Sequence, residues 1–316
     1  MKFSVVIPTY KRPDDLRKCI SSILNQSLLP EEVLIIDDDD LGNGLISELE
    51  ENCFNKTVKM IYNKKDLYNE QRGSSASRNK GLQLANNDIV FIFDDDIELY
   101  EGFFEHIMKI WETNNETNLV GVGGVIVNNR KKGTFEKLFN KVFLLDSRIS
   151  WDVNDLGFQV WNDWVKDTTK GYYAHGGVCS YNKRLAKELG LFKTFSGGRT
   201  ALEDVEFCLR AKKNGCYLMV EPKSRAFHHQ SKAGRENEKE TGYKEGYNRV
   251  LIYFAHCHKN SCTYLKFRWA SFGWVLRQLL VGHYWKAVAI RRGTRDALKE
   301  IFLADNDYGR GSIQGK

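Results

Sequence analysis

The chain has 316 residues, 42% of them hydrophobic and 28% charged, with a formal net charge of +6. That length can bury one large core, or a core and a smaller extension, and that composition excludes a disordered chain. The mild basic excess suits a phosphate-bearing partner or an anionic membrane surface, although a solvated basic face is its commoner meaning.

Residues 3–7 are an apolar, β-branched run and read as a first strand, and 14–26 carry Leu16, Cys19, Ile20, Ile23 and Leu24 at helical spacing. A strand at 33–36, a helix near 45–52, a strand at 58–62 and a helix at 77–85 follow. Next come a strand at 89–93, a helix at 103–111 and a strand at 119–127. Apolar strands alternating with helices predict an α/β fold whose mostly parallel sheet is covered on both faces. The pattern breaks over 128–170, a segment rich in Trp, Phe and Asn, and returns with a strand at 176–181. Helices at 183–189 and 205–213 and a strand at 217–220 complete the regular part. Residues 231–244 read as a charged, mobile loop, and 247–303 as helices in which aromatic and basic residues mix.

The opening stretch meets Pro8 too soon for a secretory apolar region, and the longest apolar candidate, 270–290, is interrupted by Arg277 and Lys286. The seven cysteines are odd in number, contain no Cys-x-x-Cys and read as reduced thiols. A cytoplasmic protein is the expectation.

In an open α/β sheet, ligands bind beyond the carboxyl ends of the parallel strands. There the second strand runs into Asp37-Asp38-Asp39-Asp40 and the fourth into Asp94-Asp95-Asp96. Carboxylates gathered at one edge repel unless a cation or hydrogen-bond donors hold them. Hard oxygen ligands suit Mg²⁺ or Mn²⁺ bound together with substrate phosphates. Helix caps and turns are the ordinary use of such aspartates, and they suffice for Asp39, Asp40 and one of the second cluster, but not for both clusters. No glycine-rich phosphate loop follows the first strand, so metal and basic side chains would hold a diphosphate.

These features come in one order: Val5-Val6-Ile7-Pro8-Thr9-Tyr10-Lys11-Arg12, Ile35-Ile36-Asp37-Asp38, Arg72-Gly73-Ser74-Ser75-Ala76-Ser77-Arg78-Asn79-Lys80-Gly81 and Phe93-Asp94-Asp95-Asp96. Gly176-Gly177, Leu202-Glu203-Asp204-Val205-Glu206-Phe207 with Arg210, and His228-His229 complete the set. The set resembles the family 2 glycosyltransferases, whose fold is GT-A. The resemblance implies transfer of a sugar from a nucleotide-diphosphate sugar, with UDP-sugar first, by a metal-assisted single displacement that inverts the anomeric centre. It implies that Pro8, Thr9, Tyr10 and Arg12 belong to the donor site, with Asp38 or its neighbour Asp37 on the base and Arg78 on base or diphosphate. Asp94 and Asp96 match the Asp-x-Asp motif, the first touching ribose and the second holding metal, and Asp95 can take either role. Asp204, with Glu203 beside it, matches the catalytic base, although acids also serve a helix N-terminus. His228 or His229 would complete the metal site for Mn²⁺ or Mg²⁺.

The acceptor side is expected in the second half. Trp161 and Trp164, together with Trp151, Tyr172 and Tyr173, either stack on sugar rings or fill a core. His175, Gly176, Gly177 and Arg199 are further acceptor candidates. The division expected is a catalytic domain over 1–230, its donor half to about 127 and its acceptor half over 128–230, then a loop and helical extension over 231–316. Aromatics interleaved with cations in that extension suit either peripheral contact with an anionic membrane or docked amphipathic helices. The acceptor expected is a glycan, lipid-linked or at the cell surface; nucleic acid is not expected. His256-Cys257-His258 with Cys262 fits no common zinc spacing. A sugar nucleotidyltransferase would need a glycine-rich loop after the first strand, and a non-catalytic binding scaffold would not need Asp204.

Overall fold

The computed structural model describes residues 1–66, 68–195, 201–234 and 236–310, with side chains to 303. It opens with β1 (Phe3–Thr9), α1 (Pro13–Leu24), β2 (Glu32–Asp37), α2 (Asn43–Asn55), β3 (Lys59–Lys64), α3 (Ser74–Leu84) and β4 (Ile89–Phe93). The four strands pair in parallel in the order β3-β2-β1-β4. Pro13 with Asp14 and Asp15 starts α1 as the unbonded first turn of a helix favours, and Leu16, Cys19, Ile20, Ile23 and Leu24 are buried. Helix α3 presses on β1 so closely that a Cβ at Gly81 would lie 2.1 Å from Cγ1 of Val6. After β5 (Ile97–Leu99) come α4 (Phe103–Thr113) and β6 (Leu119–Ile126). Rings of Phe3, Phe91, Phe93, Phe103 and Phe104 interlock between the sheet and α4, as close as 4.9 Å between centroids.

Past β6 lie α5 (Thr134–Val142), the short strands β7 (Asp152–Val153), β8 (Gln159–Val160) and β9 (Thr169–Gly171), then β10 (Val178–Asn182), α6 (Lys183–Glu188), α7 (Glu203–Lys213) and β11 (Tyr217–His228). Strand β10 enters antiparallel between β4 and β6, and the full order becomes β3-β2-β1-β4-β10-β6-β11-β5, with β9 beside β11. Strand β11 continues eight residues beyond the expected end at Val220, because its register shifts between Val220 and Arg225 and takes up Pro222 there.

Two compact units result: Met1–Gly133, Ser147–Val153 and Gln159–Arg235 form one, and Thr134–Asp146, Asn154–Phe158 and the chain from Glu236 form the other. The second unit holds α5, α8 (Glu238–Ile252), a π-helical turn at Tyr253–Cys257, α9 (Ser261–Leu280) and α10 (Tyr284–Arg310). The loop expected to 244 is therefore helical from Glu238. The Asn237 side chain accepts hydrogen bonds from the amides of Lys239 and Glu240 and caps α8, a start signal hidden in the charged run. Within this unit Phe143 stacks on Trp269 at 4.8 Å, and the Trp269 indole donates to the Val142 carbonyl at 2.8 Å.

Candidate active site

Strand pairing explains why distant residues meet. Because β10 is antiparallel to β4, Val178 stands opposite Phe93, so Gly176 and Gly177 reach the carboxyl end of β4, where the Asp94 amide donates to the Gly177 carbonyl at 3.1 Å. The end of β11 pairs with β5, His228 opposite Ile97, which puts His228 next to Asp96.

The three consecutive aspartates have three different surroundings. The Asp94 side chain is about a third exposed and accepts from Nη2 of Arg78 at 2.9 Å. Asp95 is buried and accepts from the Thr9 hydroxyl at 2.9 Å and from Nη1 of Arg12 at 2.8 Å. Burial pushes its carboxyl up to about 6, against the downward pull of Arg12 and Thr9. Asp96 is buried; Oδ1 lies 3.1 Å from Nε2 of His228, and Oδ2 accepts from the Ser231 amide at 2.9 Å. Asp94, Asp96 and His228 can each offer a ligand atom within 4.8 Å of the others. Two hard oxygens and one imidazole fit Mn²⁺ well and Mg²⁺ less well. His229 turns to Glu98 instead, at 2.9 Å.

Helix α7 starts at Glu203, two residues earlier than expected, which puts both acids in its first turn beside the helix's positive end. Glu203 is buried and accepts from Nη1 of Arg78 at 2.7 Å and from the Ser74 hydroxyl at 3.0 Å. Burial and the Asp204 charge raise its pKa, with Arg78 opposing. Asp204 is half-buried; Oδ2 accepts from the Tyr173 hydroxyl at 3.0 Å and Oδ1 from the Val205 amide at 2.8 Å. Arg78 thus joins Asp94 to Glu203. Burial opposes its charge, but Asp94, Glu203 and Asp204 together raise its pKa. The glycine pair is required by space: a Cβ at Gly176 would lie 2.9 Å from that of Asp204, and one at Gly177 2.2 Å from an Asp94 carboxylate oxygen.

The remaining predicted residues divide. Pro8, Thr9 and Tyr10 lie at the end of β1, and the Arg12 guanidinium, besides Asp95, donates from Nε to the Ala233 carbonyl at 2.5 Å. Asp38 accepts from the Gly73 amide at 2.7 Å, the Ser77 hydroxyl at 3.0 Å and Lys65 at 2.7 Å, so it anchors the start of α3. Asp37 accepts from the Tyr62 hydroxyl at 2.8 Å, and Asp40 takes the turn role expected for it, accepting from the Gly42 amide at 3.0 Å. Trp161 and His175 come together at 5.7 Å between centroids, whereas Trp164 is exposed beside Lys131. Arg199 lies outside the described residues. Ser74 was quoted only as part of the run from Arg72 to Gly81, and Lys65 and Asp163 were not singled out from the sequence. Asp163, which accepts from His175 at 3.1 Å, carries no local signal in its irregular segment.

A mixed sheet of this order, with an acidic motif at the end of β4 facing a helix that begins with two acids, is the GT-A fold of nucleotide-sugar-dependent transferases. Two solved structures share that fold: a mannosyltransferase, PcManGT from Pyrobaculum calidifontis in complex with GDP-Man and Mn2+ (TM-score 0.56, 15% identity, 94% of this chain and 80% of that one), and S. aureus TarS 1-349 in complex with UDP-GlcNAc (TM-score 0.54, 17% identity, 88% and 73%). Residues 4–187 match the family described as glycosyl transferase family 2, and the chain belongs to it. Poly(ribitol-phosphate) beta-N-acetylglucosaminyltransferase TarP of Staphylococcus aureus is 33% identical over 140 residues, 43% of this chain and 41% of that protein. Glucosyl-dolichyl phosphate glucuronosyltransferase of Haloferax volcanii is 28% identical over 202 residues, 62% and 58%. The chain thus spans roughly half the length of these relatives.

Proposed function

We propose that the protein is an inverting glycosyltransferase that moves a sugar from a nucleoside-diphosphate donor, a UDP-sugar first, to a hydroxyl of a lipid-linked or cell-surface glycan. One observation carries the reading: a metal-competent set, Asp94, Asp96 and His228, shares its sheet edge with the half-buried Asp204, and Arg78 and Gly176-Gly177 connect the two. Asp204 accepts the proton of the acceptor hydroxyl, whose oxygen bonds to the anomeric carbon as the bond from that carbon to the diphosphate oxygen breaks. The nucleoside diphosphate leaves with the electron pair from the opposite face, so the configuration inverts. Asp94, Asp96 and His228 would hold Mn²⁺ or Mg²⁺, which supplies charge neutralisation at the departing phosphates. Glu203 is buried against Arg78 and Ser74 whereas Asp204 is only half-buried, so proton transfer falls to Asp204. Thr9, Tyr10, Arg12 and Asp38 line or brace the donor side, within 1–127. Names of relatives support the acceptor class: TarP acts on poly(ribitol-phosphate), and a Campylobacter jejuni relative is a GalNAc(5)-diNAcBac-PP-undecaprenol beta-1,3-glucosyltransferase.

Membrane contact belongs to the same reading. Among the described residues no helix is long and apolar enough to cross a membrane. In the second unit, however, Phe135 and Leu138 of α5 and Leu265, Trp269 and Phe272 of α9 are exposed, flanked by exposed Lys137, Lys266 and Arg268. Apolar and aromatic side chains edged by cations favour an anionic bilayer surface, on the cytoplasmic face.

Nucleoside diphosphate release from UDP-, GDP- and dTDP-sugars, with Mn²⁺, Mg²⁺ or EDTA, tests the activity. Release from one donor should be abolished by EDTA, and Asp204→Asn should lower transfer by about 10²–10⁴-fold. Failure of every donor to bind or turn over would leave a non-catalytic fold, and a product that kept the donor's anomeric configuration would exclude single displacement.

A further inference from the structure

We propose that Tyr173 is a positioning residue for the transfer reaction, fixing the Asp204 carboxylate from inside a cage of Trp151, Trp161 and His175; this rests on the reading of Asp204 as the base. A carboxylate turns easily about its last torsion, and a base must be held within hydrogen-bond reach of the proton it takes. Here the two oxygens are held by different elements. The Val205 amide of α7 donates to Oδ1 at 2.8 Å, and the Tyr173 hydroxyl, from the segment between β9 and β10, donates to Oδ2 at 3.0 Å. With Tyr173 4% exposed, its phenol has to satisfy its hydrogen inside the protein, and Asp204 is where it does so.

The cage gives the phenol its aim. Trp151 stacks on the Tyr173 ring at 6.4 Å and 19°, Trp161 lies 6.3 Å away, and the His175 ring meets it edge-on at 5.9 Å. His175 is itself fixed, 3.1 Å from Oδ1 of Asp163, and Asp163 accepts from the Ile126 amide at 3.2 Å and the Asn129 side chain at 2.8 Å. The end of β6 is thereby coupled, through Asp163, His175 and Tyr173, to Oδ2 of Asp204. Trp161 and His175, expected on sequence to meet the acceptor, stand in this arrangement behind the base.

The donor itself must keep its proton. Burial and the Asp204 charge push the Tyr173 phenol well above its ordinary range, so it stays a donor at every working pH. The other charged or titratable groups acting on Asp204 are Arg78 of α3 and, on its own helix, Glu203 and Cys208. Tyr173→Phe leaves all three in place and removes only the donor.

The test is UDP release from UDP-GlcNAc with Mn²⁺ by the full chain, with UDP binding followed by isothermal titration calorimetry. In Tyr173→Phe kcat should fall by roughly 10-fold, with the donor KM and the UDP affinity unchanged. An unchanged kcat overturns the proposal, and so does a fall in kcat matched by a loss of UDP affinity. Full release by Asp204→Asn overturns the base reading instead, and the two failures are thereby distinguished. Asp163→Asn, which loosens His175 and keeps the Tyr173 hydroxyl, should lower kcat in the same way by less; no change there overturns the cage.

Discussion

His228 and His229 are neighbours of the same chemistry, yet the end of β11 gives them different partners, Asp96 for one and Glu98 for the other. Alternation along a strand tells a reader that the two side chains point apart, but not which one points to the acidic edge. Pairing with β5 decides it, and pairing is not written locally. His228→Ala should therefore weaken Mn²⁺ binding, measured by isothermal titration calorimetry, by about 10-fold or more, and His229→Ala by less than about twofold. Equal losses would mean that the ion sits elsewhere. The Asp-x-Asp motif, the Glu-Asp pair and the glycine pair were all legible because each is a short run with one spacing. Lys65 and Asp163 were not, because each matters only through a partner found by folding.

At the scale of elements, helices and strands with strong periodicity were legible to within a few residues. Three kinds of element were not: strands of two or three residues such as β7, β8 and β9, a strand that continues past a proline, and α8, whose start lies in a charged run. Packing between elements adds what periodicity omits. Gly81→Ala should gain about 1 kcal/mol of helix propensity in α3. It should lose more, because the new methyl would overlap fully buried Val6 at 2.1 Å, and overpacking costs about 1–3 kcal/mol. A lowered thermal midpoint is expected, and a raised one would show that β1 can yield. Helix α9 supports a second prediction: the protein should sediment with phosphatidylglycerol vesicles and not with phosphatidylcholine vesicles. Trp269→Ala with Phe272→Ala should weaken that binding several-fold, since each removes exposed aromatic area. Equal sedimentation with both lipids, or none with either, would oppose the membrane reading.

Across the molecule, the cysteines follow the burial of the two units. Six of the seven are buried and only Cys262 is exposed. Burial pushes the thiol of Cys53 up to about 11 and that of Cys179 to about 12, and raises those of Cys19 and Cys208 well above the ordinary thiol range. Native protein at neutral pH should therefore yield one fast-reacting thiol with Ellman's reagent, and seven after denaturation. Two or more fast thiols in the native state would mean that one of the cores opens readily.

Strand β10 carries one more consequence. Because it runs back from the edge at which β6 ends, Cys179 opposite Gly123, the chain between the two strands begins and ends at nearly one place, touching the sheet in between through β9 beside β11. A detour with neighbouring ends can change length cheaply, since closure entropy grows only with the logarithm of the number of residues. The parts of that detour outside the cage behind Asp204 can therefore vary in length while the strand ends before Asp94 and Asp96 and the start of α7 at Asp204 keep their places. A sheet so wired can vary its excursion without rebuilding the edge that carries the acidic groups.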